Sequence, residues 1–484
     1  MSPEPFPATP FSLRDPAGRL LIHQNRVLRL IGKSWAPQVQ AFLNSKTARE
    51  FTATGRFVRT RVLDPAGVRE LAEDAGLGGV LSGENCELLV EHEPIPFPSF
   101  PYEWPPAMLH AAGKLTMDLA RALLVEGFGI KDATPFNILF RGAEPVFVDL
   151  LSVERRDAND PIWMAYAQFV RTFLLPLLAH RKFGVALDQI FLTRRDGLEP
   201  SEFYRWCNPL ERLLPPVLML CSIPTWLQSR ADSNHGSLYQ PKRTRDPAEA
   251  RFVLGRLLRK LERTVERLRP PRPEGSRWLE YEGSGASYSA DELALKEAFV
   301  EEALARFQPQ RVLDVGCNTG RFSILAARKG ASVVAVDSDP GVVGELWRRA
   351  SSERLNILPL VVSLSHPTPS VGWRNRERPS FVERARGRFD AIFFLAILHH
   401  MMVTDGIPLS EIVDLSAELT KNICVAEFVG PSDPMFRRIL RGRESLYEWL
   451  NPAAFEANWS RRFTIARSVR VGESDRQLYW MVKR

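Results

Sequence analysis

The sequence predicts an α/β protein in two halves, and three observations support that fold class. After residue 276, short apolar runs alternate with helical patterns, as in a parallel sheet covered by helices on both faces. The last segments, RFTIARSVRV and RQLYWMVK, are amphipathic strands joined by the turn GESD, which predicts a terminal antiparallel hairpin. Before residue 240, a long helical pattern followed by two short strands in ILFRGAEPVFVDL predicts an α+β half.

Length and composition set the domain division. The chain has 484 residues, of which 45% are hydrophobic and 25% are charged, and both values are ordinary for globular proteins. At roughly 150 residues per domain, this length suggests two or three domains. The Pro- and Gly-rich stretch RPPRPEGS at 269–276 is the predicted boundary. We therefore expect an N-terminal domain at 1–240, a basic helix and linker at 241–275, and a C-terminal domain at 276–484.

The positive charge is concentrated in one segment. The net charge is +7, and residues 242–277 contain twelve Lys or Arg against five Asp or Glu, which accounts for the whole excess. Apolar residues at helical spacing within this segment predict an amphipathic helix with a basic outer face. The favoured interpretation is a solvated helix packed between domains. Contact with a nucleic-acid backbone or an acidic partner is the alternative, and the helix permits RNA.

Cysteine use and hydropathy exclude several classes of protein. The five cysteines are scattered without CxxC spacing, so the sequence predicts neither a disulfide framework nor a zinc site. The first residues lack the pattern of a signal peptide, and Pro or Arg interrupts the most apolar stretches before they could cross a bilayer. These features predict a cytoplasmic protein without membrane contact.

The elements of the C-terminal half follow in a regular order. It opens with a helix in SADELALKEAFVEEALARF, for which Ser289 is the expected N-cap. The next predicted elements are a strand in RVLDVGC, a helix from about 321, a strand in SVVAVD, a helix near 340–350, strands in LNILPLVVS and FDAIFFLAIL, a helix near 409–420 and a strand in NICVAEFV. This alternation is typical of an open parallel sheet.

The loop after the first of these strands, in DVGCNTG, has features of a ligand site. Gly316 allows close approach of a ligand to the backbone, Asn318 can adopt a left-handed conformation, and Gly320 allows tight packing at the start of the helix. Asp337 ends the second strand, 23 residues after Asp314, where a carboxylate can accept hydrogen bonds from both ribose hydroxyls. The loop lacks the GxGxxG pattern of dinucleotide-binding enzymes.

With DVGCNTG and the terminal hairpin, residues 276–484 resemble the class I S-adenosylmethionine-dependent methyltransferases, whose sheet is Rossmann-like. The resemblance implies S-adenosylmethionine as the cofactor. It also implies a set of cofactor-binding residues in and around the loop: Asp314, Gly316, Cys317, Asn318, Gly320 and Asp337. In this set, the two glycines and Cys317 line the methionine moiety, Asp337 holds the ribose and Asp314 orients the loop.

Three more residues are cofactor-binding candidates. The family often has an acidic residue after the third strand to meet the adenine, and this chain has Ser363 and Leu364 there instead. Lys296 lies on the helix ahead of the first strand, where many methyltransferases close over the cofactor, and its ammonium could pair with the cofactor carboxylate. The alternative for Lys296 is a solvated side chain.

The fourth and fifth strands of the half supply catalytic candidates. His399 and His400 follow the fourth strand, where an acceptor would enter, and an imidazole there could take the proton of a hydroxyl or amine. Glu427 follows the fifth strand and is a second candidate base. Structural roles for all three stay open, because methyl transfer gains much from positioning alone.

In the N-terminal half, KDATPFNILF and FVDLLS resemble the catalytic segments of protein kinases and aminoglycoside phosphotransferases. The resemblance implies that Asp132 accepts a proton and that Asn137 and Asp149 hold magnesium. Residues 15–90 show no GxGxxG loop and no persuasive strand with a lysine for the phosphates, so this half is expected to be a degenerate relative. The simpler alternative is that these side chains stabilise a turn.

Both halves together resemble a group of bacterial methyltransferases that includes nodulation host-specificity proteins. The resemblance implies methyl transfer from S-adenosylmethionine to oxygen or nitrogen of a small or glycosidic metabolite. Two alternatives remain: a nucleotide-binding regulatory or scaffold protein, and a methyltransferase acting on a protein or RNA. The sequence gives neither the acceptor nor the oligomeric state.

Overall fold

The computed structural model describes residues 15–73, 86–231, 243–272 and 288–484. The predicted domain boundaries near 240 and 275 lie outside these residues. Within them, one continuous cluster of buried apolar side chains extends from the N-terminal half into the C-terminal sheet. The two halves therefore share a core.

A four-stranded antiparallel sheet begins the N-terminal half. Its strands are β1 (Gly18–His23), β2 (Arg26–Gly32), β3 (Thr60–Val62) and β4 (Cys86–His92), in the order β1-β2-β4-β3. Helices α1 (Ala36–Leu43), α2 (Lys46–Ala53) and α3 (Pro65–Glu73) lie between these strands in the sequence. Ser45 caps α2 by accepting a hydrogen bond from the amide of Ala48 at 3.0 Å.

The rest of this half is built around a long buried helix, α4 (Pro106–Val125). Two short antiparallel pairs follow it: β5 (Phe128–Ile130) with β8 (Val153–Arg155), and β6 (Ile138–Arg141) with β7 (Glu144–Phe147). The β6–β7 pair confirms the hairpin predicted in ILFRGAEPVFVDL. Five short helices follow in the part of this half that the structure describes: α5 (Tyr166–Phe169), α6 (Leu175–Phe183), α7 (Leu187–Phe191), α8 (Pro200–Trp206) and α9 (Ile223–Ala231).

The predicted basic amphipathic helix is α10 (Pro247–Arg267). Its apolar face, which includes Leu254, Leu258 and Leu261, is buried and packs on α4. Two of its acidic side chains pair with bases on α4: Glu262 lies 2.8 Å from Arg121, and Glu266 lies 3.4 Å from Lys114. The helix therefore packs as part of the N-terminal half.

A seven-stranded sheet forms the C-terminal half, in the order β11-β10-β9-β12-β13-β15-β14. Its strands are β9 (Arg311–Val315), β10 (Ser332–Asp337), β11 (Ile357–Val361), β12 (Phe389–Phe394), β13 (Thr420–Val429), β14 (Phe463–Arg470) and β15 (Arg476–Lys483). β9 to β13 pair in parallel, and β15 is antiparallel to both β13 and β14. This arrangement confirms the predicted α/β sheet with its terminal antiparallel hairpin.

The helices of the C-terminal half agree with the predicted alternation. They are α11 (Ala290–Phe307), α12 (Arg321–Arg328), α13 (Pro340–Ser352), α14 (Phe381–Ala385), α15 (Leu398–Val403), α16 (Leu409–Leu419), α17 (Pro434–Leu440) and α18 (Pro452–Trp459). Ser289 caps α11 as expected, by accepting from the amide of Glu292 at 3.2 Å. Among the described helices, none is both long enough and apolar enough to cross a bilayer.

The two halves meet at a buried ion pair. Arg384 pairs with Glu103, whose carboxylate also accepts from the Thr368 hydroxyl at 2.6 Å. Phe97 packs beside this pair, with its ring centroid 5.7 Å from that of Phe381 and 5.9 Å from that of Phe389. The interface therefore combines apolar contact with a charged pair removed from water.

A buried histidine of β4 links stability to pH. His92 is 3% exposed, and burial lowers its pKa to about 3, with the nearby Arg29 guanidinium as a second cause. In the unfolded chain the imidazole of this residue binds a proton below about pH 6.5, whereas in the folded chain it stays neutral down to a much lower pH. Acidification below about pH 6.5 therefore lowers the free energy of unfolding. Relative to wild type, His92→Gln should therefore gain about 2 kcal/mol in free energy of unfolding between pH 7 and pH 5. Urea unfolding of both proteins at both pH values measures the change. If the variant and the wild type differed in free energy of unfolding by the same amount at pH 7 and at pH 5, the explanation would be wrong.

Candidate active site

The loop after β9 has the conformation predicted from its sequence. Gly316, Asn318 and Gly320 all have positive φ, at +71°, +50° and +86°. A Cβ atom at Gly316 would lie 2.9 Å from Ile397 Cγ1, and one at Gly320 would lie 2.2 Å from Leu346 Cδ1. Both positions therefore require glycine for space as well as for backbone conformation.

Asp337 is anchored at the end of β10. Its Oδ2 accepts from the amide of Asn318 at 3.0 Å, and its Oδ1 accepts from the amide of Asp339 at 3.0 Å. Burial raises the pKa of this carboxyl, which these amide hydrogen bonds oppose. The side chain thus fixes the loop while lining the cavity beside it.

Asp314 and Cys317 are buried around this loop. The Asp314 carboxylate accepts from the Ser323 hydroxyl at 2.5 Å, and burial raises its pKa to about 6. Burial also raises the pKa of the Cys317 thiol well above its usual value, so the thiol stays protonated. The amides of Gly316 and Cys317 both donate to the carbonyl of Val336, at 2.9 and 3.1 Å. These bonds hold the loop against β10.

A cavity of about 510 Å³ lies at the carboxyl edge of the sheet, and we call it the C-terminal cavity. It brings together ten of the residues predicted for this half: Lys296, Asp314, Gly316, Cys317, Asn318, Asp337, Ser363, Leu364, His399 and His400. Gly320 and Glu427 are not among its lining residues. Gly320 is instead the N-cap residue of α12.

Lys296 and Glu427 form a buried ion pair, which the sequence did not predict. The Lys296 ammonium donates to Glu427 Oε2 at 2.6 Å, and the Tyr288 hydroxyl donates to Glu427 Oε1 at 2.7 Å. Lys296 is 3% exposed, and burial lowers its pKa while the Glu427 carboxylate opposes that shift. Glu427 therefore lies behind the cavity wall, where it holds Lys296 and Tyr288.

Arg476, at the start of β15, also lines the cavity and was missed from the sequence. Its Nε donates to Asp433 Oδ2 at 2.7 Å, and its guanidinium lies 4.4 Å from the centroid of the Tyr288 ring. Asp433 is itself fixed as the N-cap of α17, accepting from the amide of Met435 at 2.8 Å. The sequence around Arg476 carries no signal of this role. Arg476 reaches the cavity only because β15 pairs antiparallel with β13, a contact between segments that are far apart in the chain.

The two adjacent histidines differ in their surroundings. His399 is 2% exposed, and across the described residues neither of its ring nitrogens has a hydrogen-bond partner. Its pKa lies well below the usual value because of burial first, and then because of His400, Arg476 and Lys296. Burial also lowers the pKa of His400. His399 is therefore a neutral imidazole at pH 7, in contact with the cavity.

A second cavity of about 530 Å³, the N-terminal cavity, contains the three kinase-like candidates. The Asn137 amide donates to the Asp132 carbonyl and to the Ser152 hydroxyl, both at 2.8 Å. Asp149 accepts from Ser152 and pairs with Arg29 Nη1 at 2.6 Å. No strand with a lysine for the phosphates was found in the sequence of this half. In the structure, Arg29 on β2 is a basic strand residue that faces the Asp149 carboxylate.

The electrostatics of this cavity follow from that pair. Although burial pushes it upward, the pKa of Asp149 is lowered by the Arg29 guanidinium and the Ser152 hydroxyl. Burial raises the pKa of Asp132. Both predicted magnesium ligands, Asn137 and Asp149, already have protein partners, and within the described ranges no three His, Cys, Asp or Glu side chains form a group that could hold a metal ion.

One stretch of chain borders both cavities. Ser363, Leu364 and Ser365 line the C-terminal cavity, and Glu377 and Arg378 line the N-terminal cavity. Between them, Thr368 is anchored to the N-terminal half through Glu103. We call this stretch, residues 363–378, the shared segment.

Comparison with known proteins agrees with the sequence-based resemblance for the C-terminal half. Residues 286–407 match the family model described as a methyltransferase domain. The nodulation protein NoeA of Rhizobium meliloti (strain 1021) is 29% identical over 471 residues, covering 97% of this chain and 94% of NoeA.

Two solved structures are similar to this chain at lower sequence identity than NoeA and over a smaller part of its length. The N-methyltransferase NodS of Bradyrhizobium japonicum WM9 has 13% identity and a TM-score of 0.30, covering 40% of this chain and 98% of NodS. The bifunctional kinase-methyltransferase WbdD has 17% identity and a TM-score of 0.29, covering 40% of this chain and 39% of WbdD.

Proposed function

The C-terminal half of this chain carries an S-adenosylmethionine-dependent methyltransferase domain, and we propose that it methylates an oxygen or nitrogen of a small or glycosidic metabolite. The observation that carries the proposal is the C-terminal cavity itself. A glycine loop and Asp337 line one part of it, and a neutral buried imidazole lines another.

The residues present fit the cofactor. S-adenosylmethionine supplies a methyl group activated by its sulfonium. We propose that Asp337 accepts from the ribose hydroxyls, that the loop 316–318 follows the methionine moiety, and that Ser363 and Leu364 meet the adenine. The assignment is supported because Gly316, Cys317, Asn318 and Asp337 line one cavity together with Ser363 and Leu364.

Lys296 stays a cofactor-binding candidate in this proposal. An ammonium has three donors, and two of those on Lys296 point to Glu427 and Tyr288. Since Lys296 also lines the cavity, the remaining donor can serve the cofactor carboxylate.

Of the three predicted catalytic residues, we propose His399 as the proton acceptor. It lines the cavity, and neither of its ring nitrogens has a hydrogen-bond partner among the described residues, so one of them is open to an acceptor hydroxyl. Glu427 is fully buried behind the cavity wall and accepts from two donors, which suits a positioning role. His400 also lines the cavity and is the second candidate.

A small acceptor is supported by the enclosure of the reacting end. His399 and Arg476 are both nearly inaccessible to solvent, so a folded protein or RNA could reach them only through a narrow extended segment. The basic helix α10 buries its apolar face against α4 of the N-terminal half. These observations favour a metabolite over a macromolecule.

Transfer of tritium from methyl-labelled S-adenosylmethionine into a bacterial extract tests the proposal. We expect label in the small-molecule fraction after size separation, unchanged by nuclease or protease. Label that disappears with either treatment would instead indicate a macromolecular acceptor. A protein that binds S-adenosylhomocysteine yet transfers no label would support the alternative function, a nucleotide-binding regulator or scaffold.

The N-terminal cavity is the observation that keeps this alternative open. We propose residues 1–240 as a kinase-like domain that binds a ligand through this cavity, residues 241–275 as the basic helix and linker, and residues 276–484 as the methyltransferase domain. In this proposal Asp132, Asn137 and Asp149 shape the binding cavity. The ion pair between Arg29 and Asp149 argues for binding without phosphoryl transfer.

A further inference from the structure

The order of the strands separates the two ends of the C-terminal cavity. Across the carboxyl edge of the sheet, β11 and β10 lie on one side of β9, while β12, β13 and β15 lie on the other. Asp337 ends β10, whereas Arg476 begins β15, whose antiparallel direction brings its first residue to the same edge. Arg476 and Asp337 therefore lie on opposite sides of β9 in one cavity.

The Arg476 guanidinium is fixed but incompletely bonded. Asp433 accepts from its Nε, the Tyr288 ring covers it, and its side chain is 4% exposed. In the described part of the chain, Nη1 has no hydrogen-bond partner, and Glu427 Oε1, at 3.6 Å, is too far away for a hydrogen bond. A buried N–H without a partner is costly, so this donor is available for a ligand oxygen.

His399 contributes a second unsatisfied group to the same region. A neutral imidazole has one N–H donor and one acceptor nitrogen, and both nitrogens of His399 lack partners among the described residues. His399 and Arg476 line the same cavity, and, after burial, the Arg476 charge is one of the causes that lower the pKa of His399. Together they present donors for an oxygen and an acceptor for a hydroxyl hydrogen.

The two cations at this end already have carboxylate partners. Lys296 pairs with Glu427, Arg476 pairs with Asp433, and Glu427 also lies 3.6 Å from Arg476 Nη1. A charged acceptor beside Arg476 would therefore bury a charge that no unpaired protein charge balances, which is costly. An uncharged ligand with hydroxyl groups satisfies the open hydrogen bonds without that cost.

We propose that Arg476 and His399 form the acceptor-binding end of the cavity, and that the acceptor is an uncharged polyhydroxylated compound, such as a sugar residue, methylated on oxygen. One acceptor oxygen receives a hydrogen bond from Arg476 Nη1, and the neighbouring hydroxyl donates to His399. This hydroxyl oxygen forms the bond to the methyl carbon, the carbon–sulfur bond breaks with its electron pair going to sulfur, and the hydroxyl proton passes to His399. The inference rests on the proposed methyltransferase function.

Two binding probes distinguish this role of Arg476 from cofactor binding. S-adenosylhomocysteine contains the amino-acid carboxylate, and methylthioadenosine lacks it. We expect Arg476→Met to bind both S-adenosylhomocysteine and methylthioadenosine with affinities within about 2-fold of wild type, as measured by calorimetry. The reason is that an arginine that binds the acceptor touches neither molecule. A loss of S-adenosylhomocysteine binding with methylthioadenosine binding retained would place Arg476 on the cofactor carboxylate and overturn the proposal.

The same variant should change acceptor use. With the small-molecule fraction of the extract as substrate, we expect Arg476→Met to lower kcat/KM for the labelled product by roughly 10- to 100-fold, the effect of losing one buried hydrogen bond to a charged group. Arg476→Lys should recover part of this loss. Unchanged kcat/KM in Arg476→Met would overturn the proposal.

The labelled product gives an independent test. An O-methylated, uncharged product passes through a strong anion exchanger and a strong cation exchanger, and its label survives alkali. Retention on either column, or release of label as methanol in alkali, would overturn the assignment of the acceptor. If wild-type protein binds no S-adenosylhomocysteine, the proposed function itself fails, which is a different outcome from any of these.

Discussion

Asp337→Ala is expected to weaken the affinity of the protein for S-adenosylhomocysteine roughly 100-fold or more, because two charge-assisted hydrogen bonds to the ribose are worth about 1.5–3 kcal/mol each. The substitution also removes the acceptor of the Asn318 amide, which helps to shape the loop. Isothermal titration calorimetry on the purified full-length protein measures the effect.

Asp339→Ala is the matched control for this prediction. Asp339 lies two residues further on and caps α13, accepting from the amide of Gly341 at 2.7 Å, but it does not line the cavity. Its loss should cost about 1 kcal/mol of stability and leave the affinity nearly unchanged. Equal affinities for wild type and Asp337→Ala would contradict the assignment of this loop to the cofactor.

Glu103→Ala should lower the free energy of unfolding by about 3–5 kcal/mol, because it leaves the buried Arg384 charge without its partner. The carboxylate also accepts from the Phe100 amide at 3.0 Å and from Thr368, so the loss includes hydrogen bonds on both sides of the interface. Urea or guanidinium unfolding measures the change, and binding of S-adenosylhomocysteine to the folded protein should be retained.

Two comparisons make this prediction specific. Glu418→Ala removes one partner of an exposed pair with Arg386 and should change stability by less than about 1 kcal/mol. The double variant Glu103→Leu with Arg384→Met removes both charges and should recover much of the loss, since no charge is then buried alone. A similar loss in the single and double variants would show that packing, and not the unpaired charge, causes the effect.

The parts of the site that were predictable are those encoded by adjacent residues. The glycine loop and Asp337 follow from strand, loop, helix and strand patterns, each of which is fixed within about ten residues of sequence. The left-handed conformation of Asn318 follows from the same short-range pattern and is confirmed. Local sequence was sufficient because these side chains and backbone turns depend on their neighbours in the chain.

Some residues were not predicted from the sequence, and others have surroundings that the sequence did not predict. Both groups depend on contacts between distant parts of the chain. Arg476 reaches the site because β15 inserts beside β13, and no local pattern identifies that pairing. Glu427 is buried by Lys296 and Tyr288, which come from a segment about 130 residues earlier in the chain. Likewise, Arg29 meets Asp149 only after the N-terminal sheet has packed over the β6–β7 hairpin. Such partners cannot be assigned from hydrophobic periodicity, because periodicity describes one element at a time.

The shared segment has a thermodynamic consequence for the whole protein. Because residues 363–365 line the C-terminal cavity and residues 377–378 line the N-terminal cavity, a ligand that displaced the whole stretch would change both cavity walls. Linkage then requires the influence to be reciprocal: whatever factor a ligand of the N-terminal cavity applies to cofactor affinity, the cofactor applies to that ligand in return. The hydrogen bond between Thr368 and Glu103 lies between the two ends, so such coupling has to pass through this anchor.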